Sequence, residues 1–114
     1  MYIHMLTSTT HTIEGNPIKE YIWFVSSEVI VGANVVKDLF ASITDIFGGR
    51  SGSYEQSLIE WKNAAMQELI AKAKKMWANA IVGIDLAYDT VGKWWSMFMI
   101  NITGTAVILT KDPK

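Results

Sequence analysis

The stretch Gly32–Glu55, GANVVKDLFASITDIFGGRSGSYE, contains a full helix-to-helix transition. Gly32 closes an apolar run, and Asn34 is a residue type that caps helix N-termini. Val36, Leu39, Phe40, Ile43, Ile46 and Phe47 then recur at helical spacing, which predicts a helix over 35–47 with one apolar face. Asp38 and Asp45 fall near its other face, and Gly48-Gly49 stops it. Arg50-Ser51-Gly52 is the connecting loop. Ser53 with Gln56 forms an S-x-x-Q capping box that predicts a second helix.

The second helix is expected to run to about Trp77. Tyr54, Leu58, Trp61, Ala65, Leu69 and Ala73 form its stripe. Ile59, Met66, Ile70 and Trp77 widen that stripe, which implies burial on more than one side. Glu68 and Lys72 form an i,i+4 pair on the wet side. Asn79 is expected to adopt the left-handed conformation and end the helix.

Strands flank the helices. Residues 1–12 predict a short strand, and Glu14-Gly15-Asn16-Pro17 a turn. Tyr21–Val31 is β-branched and aromatic. Trp23, Val25, Val29 and Val31 are expected on one face, with Ile22, Phe24 and Ile30 on the other. Ala80–Asp89 predicts a strand with Val82, Ile84, Leu86 and Tyr88 on one face and Gly83, Asp85, Ala87 and Asp89 on the other. Gly92-Lys93 is a tight turn into a last strand, Trp94–Leu109. Its faces read as Trp94, Phe98, Ile100 and Ile102 against Trp95, Met97, Met99 and Val107. That run is too short to span a bilayer as a helix.

The 114 residues fit one domain, 1–114, and show no internal repeat. The N-terminus lacks the basic and apolar regions of a signal peptide. Ten basic residues against eleven acidic give a net charge of −1, which disfavours nucleic-acid binding. There is no cysteine, so disulfides, thiolate nucleophiles and thiolate metal sites are excluded. These features fit a cytoplasmic protein.

Half of the residues are hydrophobic and five are Trp, more apolar surface than a small domain readily hides. Two strands read as apolar on both faces. Helices in one connection can cover one face, so the other needs a partner. A second copy of the chain is the expected partner, the rival reading being that the second helix wraps far enough to cover both faces.

The segment Gly32–Glu55, followed by ANAIVGIDLAYDTVG and then ITGTAVIL, resembles the YbjQ-like family of small proteins, which are often labelled "putative heavy-metal-binding". The resemblance extends from about Thr9 to Leu109. It rests on Glu28, Gly32-Ala33-Asn34, Asp38-Leu39-Phe40, Asp45-Ile46, Gly48–Gly52, Tyr54-Glu55, Asn79-Ala80, Val82-Gly83, Asp85 and Gly104-Thr105-Ala106. It implies a dodecin/YbjQ-like α+β fold, an antiparallel sheet packed against two consecutive helices. It also implies a homo-oligomeric ring, a pentamer. Ser27, where a Gly usually precedes Glu28, and Trp77-Ala78 before Asn79 depart from the family pattern.

Two groups of residues are candidates for chemistry. Gly49, Arg50, Ser51 and Gly52, with Asn34 and Glu55, could cradle an anion at a helix N-terminus, Arg50 adding a bidentate grip. The spacing is not that of a phosphate-binding P-loop. The plainer reading is a tight corner with Arg50 paired to an acid, and it is preferred. The acids Glu28, Asp38 and Asp45, with Asp85, could gather around an assembly axis and hold a divalent metal ion through oxygen ligands. The plainer reading, also preferred, is a solvated helix face or inter-subunit salt bridges. His4 and His11 have no second-ligand spacing, and no catalytic constellation is readable. The favoured function is a non-enzymatic oligomeric structural or interaction module. The alternative is a small-ligand or metal-ion binder.

Overall fold

The computed structural model describes residues 5–32, 52–91 and 97–113, with the side chains of 52–56, 90 and 91 left out. The described elements are β1 (Leu6–Thr7), β2 (Ile18–Val31), α1 (Gly52–Lys75), β3 (Ala80–Val91) and β4 (Met97–Leu109). The strands form one sheet in the order β1-β3-β4-β2. β4 pairs antiparallel with both β2 and β3, whereas β1 pairs parallel with β3 through Leu6–Ala80 and Thr7–Ile81. The fold is α+β, but the sheet is mixed and not antiparallel throughout. The helix expected over 35–47 and the turn at Gly92-Lys93 lie outside the described residues.

One face of the sheet carries α1. Ala65, Leu69 and Ala73 are fully buried and pack on Val25, Ile81, Ile100, Ile102 and Ala106. The alanines let the helix backbone come close, and Leu69 fills the space between them. Its burial is worth about 2 kcal/mol. Trp61 lies with its ring centroid 6.1 Å from that of Phe98, which in turn stacks on Tyr88 at 5.8 Å. The expected widening of the stripe is corrected here. Met66 and Ile70 are half-buried against the core, but Ile59 and Trp77 are exposed, so α1 is buried along one side.

The helix terminus also differs from expectation. Trp77, not Asn79, takes the left-handed conformation, at φ 68°. The amide of Ala78 donates to the carbonyl of Ala73 (3.2 Å), and that of Trp77 to Lys74 (3.0 Å). These are the two bonds of a Schellman cap, in which the left-handed position is usually glycine. Trp77 is 79% exposed, so its ring contributes little packing within this chain. Trp77→Gly is therefore expected to stabilise the fold by about 1 kcal/mol, because glycine has no Cβ to clash in that conformation. A chemical-denaturation midpoint measured at fixed protein concentration checks it, and an unchanged or lowered midpoint would refute the strain.

Asn79 instead turns inward and ties three segments together. Its Oδ1 accepts from the amide of Leu109 (2.7 Å), and its Nδ2 donates to Asp112 Oδ1 (3.2 Å). Its backbone amide donates to Val107 and its carbonyl accepts from Leu6. A second small cluster of Ala80, Val82, Val107 and Leu109 lies beside this junction, covered by Leu6, Ile13 and Ile18.

β3 does not alternate regularly. Between Val82 and Asp85 its register on β4 shifts, so Gly83 and Ile84 together face Gly104. Gly83 has φ +62°, the glycine-requiring position of a bulge. The extra residue sends Ile81, Ile84 and Leu86 to the helix side and Val82 to the opposite cluster. This corrects the expected grouping of Val82 with Ile84 and Leu86. The N-terminal segment latches onto the bulge. The amide of Gly83 donates to Thr10 (2.8 Å), and that of Ile84 to Ser8 (3.1 Å).

β2 begins at Ile18, earlier than expected, after a turn with Gly15 at φ +79°. Two register shifts interrupt its first part, between Ile18 and Glu20 and between Tyr21 and Trp23. They turn Ile22 toward the helix-side core, against the expected grouping, whereas Trp23, opposite Ala106 and in step with Val25 and Val29, keeps its expected face but stands exposed. From Trp23 to Val31 the pairing with β4 is unbroken.

Candidate functional site

Directly opposed residues of antiparallel strands share a face. On the face away from α1, three rows therefore run across β2, β4 and β3. They are Ser26–Thr103–Asp85, Glu28–Asn101–Ala87 and Ile30–Met99–Asp89. Phe24 beside Thr105 extends the face at one end, and Met97 at the other. Phe24 (62%) and Ile30 (58%) are exposed, and Met97 and Met99 are half-buried. Among the described residues no helix covers this face. It is apolar at both ends and polar across the middle.

Of the candidate metal residues, the side chains of Glu28 and Asp85 are described. Glu28 stands exposed at the β2 end of the middle row, opposite Asn101. Asp85 is exposed at the far end of the neighbouring row. Two strand spacings, about 10 Å, separate β2 from β3. Among the described residues there is no group of three or more His, Asp or Glu placed to hold a metal ion. His11 lies against the β3 bulge, its Nδ1 3.2 Å from where a Cβ on Gly83 would stand.

The anion-cradle candidates fall elsewhere. Asn34, Gly49, Arg50 and Ser51, and the acids Asp38 and Asp45, lie outside the described residues. Gly52 is the first residue of α1, and Glu55 lies in its first turn.

Two contacts bind the helix to β2 at the level of Glu28. Ser27 is buried, and its hydroxyl donates to the carbonyl of Ala65. Lys72 donates from Nζ to the carbonyl of Ser26 (2.7 Å) and pairs with Glu68 at 3.4 Å. Both charged side chains are about half exposed, so this ion pair contributes only about 0.5 kcal/mol. Sequence reading identified the Glu68–Lys72 pair but not the reach of Lys72 to the sheet. It also noted Ser27 only as a departure from the family pattern. A serine at a buried strand position is a sign of such a helix–sheet bond. Ser27→Ala is expected to cost about 1 kcal/mol, the net value of one hydrogen bond, in a denaturation measurement. No loss would mean the hydroxyl bond contributes nothing net.

A family model described as "Putative heavy-metal-binding" matches residues 5–110. The "UPF0145 protein" of Anoxybacillus flavithermus is 52% identical over 105 residues, 92% of this chain and 98% of that protein. The "UPF0145 protein" of Geobacillus kaustophilus is 51% identical over the same lengths. A crystal structure of a protein of unknown function from Pediococcus pentosaceus covers 92% of this chain and 97% of its own, at 15% identity and a TM-score of 0.57. That likeness supports the fold alone.

Proposed function

We propose a homo-oligomeric, non-catalytic structural or interaction module for this chain, which belongs to the YbjQ-like family whose model is described as "Putative heavy-metal-binding". The observation that carries the proposal is the uncovered sheet face. Phe24, Ile30, Met97 and Met99 place apolar area on water at both ends of it. Exposed large apolar side chains grouped on one face beside polar residues mark an interaction site. Further copies of the chain supply a matching surface at no extra sequence cost, and closed symmetric assemblies are the common outcome. A ring of five is the stoichiometry the family resemblance implies. The absence of cysteine removes thiolate ligands from any metal role.

Met99 lies in the central strand on this face, between Ile30 and Asp89. Met99→Lys is expected to leave the far-ultraviolet circular dichroism spectrum unchanged and to lower the sedimentation coefficient toward that of a monomer. A variant that sediments like the parent would refute the face as the assembly surface.

A small-ligand or metal-binding reading rests on the Gly48–Ser53 loop and on Glu28, an acid on the open face. It predicts a melting-temperature rise with a divalent cation that Glu28→Gln abolishes, or with an anion such as phosphate that Arg50→Ala abolishes. Equal responses in parent and variants would refute it.

A further inference from the structure

We infer that the outer edge of β2 pairs antiparallel with the β2 edge of a second copy, about a two-fold axis through Ser27. The inference rests on the homo-oligomer reading and names one of its contacts. Among the described residues β2 lies at the end of the sheet, and nothing pairs with its outer side. A long apolar strand edge is a template for pairing with another chain. The two register shifts confine the regular part of this edge to Trp23–Val31. That run, WFVSSEVIV, is chemically symmetric about its centre. Folded against a second copy, Trp23 faces Val31, Phe24 faces Ile30, Val25 faces Val29, and Ser26 faces Glu28. Ser27 meets its own copy.

Each of those opposed pairs is matched in polarity. Aromatic against β-branched pairs are among the favourable cross-strand combinations. Phe24 and Ile30, both exposed in the single chain, would cover each other twice on the open face. Val25 and Val29 would continue the helix-side core across the junction. The one charge in the run, Glu28, would face a serine and not another carboxylate. The other end of the sheet is a poorer partner. Beyond its bulge, β3 carries Asp85 and Asp89 on the same face as Glu28, so joining β2 to it would bring like charges together. Lys72 holds the carbonyl of Ser26 near the middle of the edge. A carbonyl has two lone pairs, so this bond and a strand bond can share the oxygen.

The chain has no cysteine, so engineered thiols report unambiguously. Ser26→Cys and Glu28→Cys are made as separate variants, mixed, and oxidised. Opposed strand positions lie within disulfide reach. A covalent dimer is expected from the mixture, and its loss when Ile30→Lys is added to both variants. A mixture of Lys74→Cys with Glu28→Cys is expected to give none. Native mass spectrometry of the parent is expected to show an even number of copies. A five-membered ring has no two-fold axis, so this contact would join two such rings. An odd assembly, or no 26–28 crosslink, overturns the β2 contact and leaves the oligomer reading standing. A monomer overturns both.

Discussion

Replacing Gly104 with valine is expected to lower the unfolding free energy by about 3 kcal/mol, at the upper end for overpacking a filled core. Gly104 sits in the central strand, opposite the β3 bulge, and is buried. A Cβ there would stand 2.7 Å from Ile81 Cγ2, 3.2 Å from Ile84 Cγ1 and 3.4 Å from the carbonyl of Val82. Ile81 is fully buried beneath α1 and is β-branched, so its methyl cannot swing aside. The backbone of β3 would have to move, and the N-terminal segment that bonds to the bulge would move with it. Guanidinium denaturation of Gly104→Val reads the loss. A variant as stable as the parent would mean that the bulge yields freely, contrary to the packing described.

Removing the Asn79 side chain is expected to cost about 2 kcal/mol. Asn79→Ala leaves the amide of Leu109 without its acceptor inside a buried junction, and an orphaned buried donor costs about 1–3 kcal/mol. It also removes the bond to Asp112, while Thr110 and Lys111 stay tied to Pro17 and Asn16. Hydrogen exchange should localise the effect, with the Leu109 amide losing protection ahead of the central part of β4. Uniform loss of protection, or none, would contradict the role given to Asn79. Asn79→Asp keeps the acceptor for Leu109 but sets a carboxylate beside Asp112, so it is expected to fall between the parent and alanine.

The elements that could be read from the sequence were those whose pattern is local and unbroken. Leu58, Ala65, Leu69 and Ala73 recur at helical spacing, and α1 is buried along the line they mark. The β-branched run ending at Val31 and the apolar run ending at Leu109 are strands, as their residue types predict. The excess of apolar residues on both sides of β2 corresponds to the exposed Phe24 and Ile30.

What could not be read depends on contacts between distant segments. A period-two pattern carries no mark of the place where one residue is inserted against its neighbour strand. The bulge at Gly83 therefore displaced Val82, and the shifts near Tyr21 moved Ile22 onto the face that Trp23 shares with Val25. Parallel pairing of Leu6–Thr7 with β3 is a decision of topology, which two residues cannot reveal. The size and apolarity of tryptophan place Trp77 in the apolar stripe by pattern alone. The chain places it in the left-handed cap position, and Asn79, the better intrinsic candidate, is held by its bonds to Leu109 and Asp112. Of the candidate site, Glu28 can be placed on the open face. Arg50 and its neighbours up to Ser51 lie outside the described residues.

Assembly of copies through the sheet is the claim from which the rest follows. Native mass spectrometry of the 114-residue chain tests it most directly. The account predicts a discrete species at a fixed multiple of 12.8 kDa that persists on dilution. A single species at 12.8 kDa at every concentration would contradict it.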